Sequence, residues 1–174
     1  MYEEADVHSH PIDCFEIARK LHYQLRPYST LSHEELHEAL ALDPDGFSRV
    51  EIDIFTGLNV YVIYYNDEGR NIGRIRWTIF HEIGHIYLGH HDNPDDSKSA
   101  IEEAEADFFA KYAIAPPPLI CVLKCQNMWD VQSAFNTSDE ASYNIFDYYQ
   151  KWLQYGPRTY LDFELQIIQL FGAA

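Results

Sequence analysis

A chain of 174 residues with 47% hydrophobic and 15% aromatic side chains holds enough apolar material for one compact domain spanning residues 1–174, and it is too apolar to stay unfolded. Its 28 acidic against 12 basic residues leave a net charge of −16, a field that repels phosphate backbones and argues against direct nucleic-acid binding. No apolar run reaches the roughly 18 to 20 residues that span a bilayer, and the start MYEEADVHSHPID lacks the basic and apolar parts of an export signal. A cytoplasmic protein without a membrane partner is expected.

In chain order, Ile12 to Leu21 places Phe15, Ala18 and Leu21 on one face behind Pro11, which suits a first helix. A short extended piece, Tyr23 to Tyr28, follows. Ser32 with Glu35 three positions on reads as a capping box for a second helix carrying Leu36 and Leu40 and ending near Asp43-Pro44-Asp45-Gly46. Ser48 to Phe55 alternates Val50, Ile52 and Ile54 with polar neighbours, the period of a half-buried strand. Asn59 to Tyr65 is β-branched and aromatic on both faces, a more buried strand of the same antiparallel sheet. Asn66 to Gly69 is a turn.

From Arg74 the period becomes helical. A further helix over Ser99 to Ala115, reached through the polar loop HDNPDDSK, is stopped by Pro116-Pro117-Pro118. Leu119 to Cys125, Val131 to Phe135 and Asp139 to Leu153 read as helices, Gly156-Pro157 as a break, and Tyr160 to Phe171 as a last helix. The organisation is α+β: N-terminal helices and sheet over 1–73, a helix pair over 74–118, and a mostly helical part over 119–174. Cys14, Cys121 and Cys125 are an odd set without metal-ligand spacing and read as reduced thiols.

Chemistry enters at Arg74 to His91, RIRWTIFHEIGHIYLGHH, which contains H-E-x-x-H at His81, Glu82 and His85. Positions i and i+4 stack on one helix face, so both imidazoles can point at one ion while Glu82 reaches a water beside it. The surrounding Ile75, Trp77, Ile79, Phe80, Ile83, Ile86 and Leu88 mark a helix buried on nearly all sides. An unpaired glutamate there would cost several kcal/mol, so a metal with its bound water accounts for the trio better than chance core residues do.

Catalytic zinc takes a third protein ligand and keeps an open position. His91 lies where the pattern H-E-x-x-H-x-x-G-x-x-H puts its third histidine, but position 88 is Leu and the glycine is Gly89. Glu105 is the stronger candidate, because it falls within an apolar stripe formed by Ile101, Ala104, Phe108 and Tyr112, where a lone carboxylate is rare unless paired or on a metal. Glu102, Glu103 and Asp107 then read as solvated, and His90 and His91 as helix-end residues or supports for the ligands.

The stretches RWTIFHEIGHIYLGH and EAEADFFAKYAIAP resemble the ImmA/IrrE family of bacterial metallopeptidases. Weaker likeness extends over most of the chain; Tyr112 to Ala115 depart from the leucines and methionine usual before the proline. The resemblance implies a zincin-like fold, its small antiparallel or mixed sheet packed on the buried H-E-x-x-H helix. It also implies one zinc ion on His81, His85 and Glu105, with Glu82 as base. Members act on helix-turn-helix repressors in phages, mobile elements and stress responses, so the implied partner is a DNA-binding repressor.

The segment VQSAFNTSDEASYNIFDYYQKW, with Ser138 as a cap, looks like that family's short helix-turn-helix pair. Its second helix offers only Lys151 as a base, which suits core packing or partner docking better than phosphate contacts. The substrate is expected to lie extended along the edge strand, either Ser48–Phe55 or Asn59–Tyr65. Tyr64, Tyr65, Tyr112, His90 and His91 are all open as the oxyanion stabiliser. The rival reading is a zinc-holding antirepressor that binds its partner without cutting it.

Overall fold

The computed structural model describes residues 1–92 and 99–172, so most of the polar loop HDNPDDSK lies outside the described residues. They group into two compact units, one of Met1–Asp13 with Lys111–Ala174 and one of Cys14–Ala110. The fold is α+β, with a small mixed sheet.

In the second unit the chain runs α1 (Cys14–Lys20), β1 (Gln24–Pro27), α2 (His33–Leu42), β2 (Gly46–Ile52), β3 (Asn59–Tyr65), α3 (Ile72–Tyr87) and α4 (Ala100–Ile114), whose last residues pass into the other unit. The strand order is β1-β3-β2, with β1 parallel and β2 antiparallel to β3. The strand rich in β-branched and aromatic side chains is therefore the central one, and β1 and β2 are the edges. Strand β2 stops at Ile52, short of the expected Phe55, because Asp53 turns the chain. Its Oδ1 accepts hydrogen bonds from Phe55 N (3.0 Å), Thr56 N (2.8 Å) and Thr56 Oγ1 (3.0 Å), a local competitor to the ladder.

Side chains of alternate residues separate the two faces of the sheet. On one face Tyr28, Ala39, Val62 and Tyr64 form a buried cluster with Leu31, Leu36, Phe47 and Val60 packed against it. Phe47 and Tyr64, cross-strand partners, stack with ring centroids 4.7 Å apart, a pairing that helps fix the register. Helix α2 covers this face. Its expected capping box is present, with Ser32 N donating to Glu35 Oε2 (2.8 Å) and Glu35 N to Ser32 Oγ (3.3 Å). On the other face lies α3, against β2, β3 and α1.

Asn71 caps α3, its Oδ1 accepting from Arg74 N at 2.9 Å, which starts the helix two residues before the expected Arg74. Thr78 to Phe80 and Glu82 to Ile86 are buried, and only this C-terminal half meets the expectation of burial on nearly all sides; Leu88 is exposed. Close approach of β2 to α3 depends on Gly46, where an added Cβ would lie 2.5 Å from Tyr64 O and 2.6 Å from Thr78 Cγ2. The carbonyl belongs to the neighbouring strand and cannot yield. Gly46→Ala is therefore expected to destabilise the protein by about 1–3 kcal/mol, read as a lower urea midpoint; an unchanged midpoint would refute this packing.

In the first unit the prolines after α4 do more than stop it. Pro117 and Pro118 occupy the first turn of α5 (Pro117–Val122), where a missing N–H costs nothing. Helices α6 (Met128–Phe135), α7 (Asp139–Tyr155) and α8 (Asp162–Gly172) follow. Asn136, in the left-handed region at φ 51°, ends α6, and Ser138 Oγ caps α7 by accepting from Ala141 N at 3.2 Å. Lys151 is paired with Asp147 at 2.7 Å. Buried Glu164 is satisfied by Trp152 Nε1 (2.8 Å) and Leu161 N (2.9 Å). Tyr2 ties the N-terminal segment to this unit, its hydroxyl donating to Ala113 O at 2.8 Å and its ring meeting Phe171 edge-on. The three cysteines are free thiols, and no helix of the described residues is long and apolar enough to cross a membrane.

Candidate metal centre

Helix α3 presents His81 and His85 one turn apart, and their rings meet with Nε2 atoms 3.0 Å from each other. His85 is fully buried and the His81 side chain is 15% exposed. The other nitrogen of each ring has a partner that bears on its tautomer. His81 Nδ1 lies 3.0 Å from Asp107 Oδ1, a partner that would hold a metal-binding His81 as its Nδ1–H tautomer. His85 Nδ1 lies 2.9 Å from His90 Nδ1, and His90 Nε2 lies 3.2 Å from Glu105 Oε2. A His90 ring that donates from Nε2 to Glu105 can accept from His85 Nδ1, the arrangement that would leave His85 Nε2 to a metal.

The two Nε2 atoms stand 3.0 Å apart, close enough to bind one cation together. The third group at that point is Glu103 of α4, whose Oε2 lies 3.3 Å from His81 Nε2 and whose Oε1 lies 3.5 Å from His85 Nε2. The two Glu103 oxygens thus each face one of the imidazole nitrogens. His81, His85 and Glu103 can hold a metal, each offering one atom with all of them within 4.8 Å of one another.

Glu105 is the expected third ligand; the structure brings Glu103 to the histidine pair and Glu105 to His90. The physical reason is the orientation of α4. The stripe read from Ile101, Ala104, Phe108 and Tyr112 is not its buried face: Ile101 is 72% and Phe108 49% exposed, whereas Ala106 and Ala110 are fully buried. At Gly84 of α3 an added Cβ would lie 3.1–3.2 Å from the Phe109 side chain, so the glycine leaves room for a ring of α4. On that rotation Glu103 and Asp107 flank the buried face, and the Glu105 side chain, 56% exposed, supports His85 through His90.

His91 is also directed away from the pair. Helix α3 ends at Tyr87, Gly89 takes a left-handed conformation at φ 76°, and His90–Asp92 form a 3-10 turn. This reversal returns His90 to His85 and lays His91 Nε2 2.9 Å from Ser48 Oγ. Ser48, buried on β2, donates to Glu82 Oε2 at 2.6 Å, and Glu82 is itself 3% exposed. Reading the sequence missed Ser48, Glu103 and Asp107. The signal for the last two was their own i,i+4 spacing, which matches the spacing of the two histidines on the facing helix.

Among the oxyanion candidates, Tyr64 is engaged on the sheet face opposite α3. Its hydroxyl bonds Glu51, Arg26 and Arg49, and its pKa is raised by burial first and by the Glu51 carboxylate second. Tyr65 packs its ring against Phe15, and Tyr112 belongs to the other compact unit. No family description, curated protein or solved structure compared with this chain matches it.

Proposed function

We propose that this chain is a zinc-dependent endopeptidase with a zincin-like core, of the ImmA/IrrE kind, acting in the cytoplasm on a protein substrate. The observation that carries this reading is the convergence of His81 Nε2, His85 Nε2 and the Glu103 carboxylate on one point, with Glu82 buried on the same helix. Two imidazoles and one carboxylate are a donor set suited to zinc. Three protein donors rather than four converge among the described residues, and the Glu103 side chain is 47% exposed, which favours an open position over a closed structural site.

When bound there, zinc would polarise the scissile carbonyl and lower the pKa of its water. The work of the chain's own residues is then proton transfer and orientation. Glu82 takes the proton of the attacking water and delivers it to the leaving amine. Asp107 holds His81, and Glu105 through His90 holds His85, in the tautomers that leave both Nε2 atoms available. The substrate lies extended along the free edge of β2, the edge strand whose Ser48 touches Glu82, and gains backbone hydrogen bonds there. The resemblance supplies the substrate class, a helix-turn-helix repressor. Incubation with such repressors is expected to yield discrete fragments by mass spectrometry, suppressed by a zinc chelator and restored by added zinc; intact repressor bound to the chain would favour the non-cutting antirepressor.

A further inference from the structure

We propose that Ser48 is the positioning residue for Glu82, and that His91 sets the direction of the Ser48 hydroxyl. This rests on the peptidase reading, in which Glu82 is the base. Ser48 is 6% exposed and sits two residues beyond Gly46, where β2 comes close enough to α3 for a short side chain to reach the helix. Its Oγ lies 2.6 Å from Glu82 Oε2 and 2.9 Å from His91 Nε2. A hydroxyl has one proton to give, and an ionised carboxylate can only accept. The Ser48 proton therefore goes to Glu82, and Ser48 must accept from His91, which fixes His91 as the Nε2–H tautomer. The result is a one-way series of donors, from His91 Nε2–H to Ser48 Oγ–H to Glu82 Oε2.

This series does something that a satisfied core serine would not. Rotation about the last bond of a glutamate side chain is soft and roughly two-fold, so burial alone leaves open which way the two oxygens face. A short charge-assisted bond from the sheet commits Oε2, which sets the direction of Oε1 and so the point from which a water proton is taken. Because Glu82 is not among the converging donors, loss of the bonds that orient it should change the alignment of the base without changing metal affinity.

The test uses the full, zinc-loaded chain with a mixed-sequence peptide pool digested and read by mass spectrometry, together with zinc titration and nitrogen-15 NMR of the imidazoles at about pH 8, where histidine is ordinarily neutral. Ser48→Ala is expected to lower kcat by about 10- to 100-fold, the scale of a small misplacement of a catalytic group, with KM and zinc affinity changed less than about 2-fold. Ser48→Thr and His91→Gln, which keep a hydroxyl and an N–H donor, are each expected to retain most of the wild-type kcat. In the wild type His91 is expected as the Nε2–H tautomer, a preference that Ser48→Ala removes. An unchanged kcat in Ser48→Ala, or a wild-type His91 in the Nδ1–H tautomer, would overturn the inference. If the wild type cuts no peptide the peptidase reading fails, and the His91 tautomer with its response to Ser48→Ala still decides whether Ser48 orients Glu82.

Discussion

Glu82→Gln is expected to keep one zinc per chain while lowering peptide hydrolysis by on the order of 10³-fold, within the range that a lost general base removes. The substitution preserves shape, and the amide it introduces still offers a carbonyl oxygen to the Ser48 hydroxyl, which donates to Glu82 Oε2 at 2.6 Å in the wild type. What disappears is the capacity to take a proton from water. Metal binding survives because Glu82 is not among the converging donors. Zinc content by atomic emission and initial rates on the same sample measure both halves of the prediction; normal turnover in the Glu82→Gln variant would show that Glu82 is not the base.

The second large effect separates two glutamates that lie two residues apart on α4. Glu103→Ala is expected to weaken zinc binding by more than about 100-fold, beyond what outer partners of a metal site contribute, and Glu105→Ala by about 10-fold, the lower end of that outer range. The difference follows from position. Glu103 oxygens stand 3.3 and 3.5 Å from the two imidazole Nε2 atoms, whereas Glu105 acts through His90, 3.2 Å away. Competition with a fluorescent zinc chelator gives both affinities, and a greater loss in Glu105→Ala would return the ligand role to Glu105.

The same pair shows how far the sequence could be read. The spacing of His81 and His85 and the greasy surroundings of α3 were visible because they are local: helical geometry converts a four-residue interval directly into a shared face. Which glutamate nears the histidines is not local, since it depends on how α4 is rotated about its own axis. The large apolar side chains of Ile101 and Phe108 suggest one face, and the actual buried face carries Ala106 and Ala110. Hydrophobicity alone misleads wherever close packing favours alanine.

The sheet was legible in part for a related reason. Alternation locates β2, the β-branched and aromatic run Asn59–Tyr65 locates β3, and the buried character of that run agrees with its central place. The parallel partner β1 is four residues long, too short for periodicity to define, so the edge assignment waited on pairing. Ser48 carried no signal at all, because a serine on a strand takes its meaning only from the helix opposite. The capping box at Ser32 and Glu35, by contrast, is a short-range hydrogen-bond pattern and was readable residue by residue.

Anomalous diffraction at the zinc edge from crystals of the zinc-loaded chain tests the central claim most directly. The account predicts one peak with His81 Nε2 and His85 Nε2 at about 2.0–2.1 Å and a Glu103 oxygen at about 2.0–2.2 Å. A peak ligated by Glu105 or His91 in place of Glu103, or no peak between the two imidazoles, would contradict it.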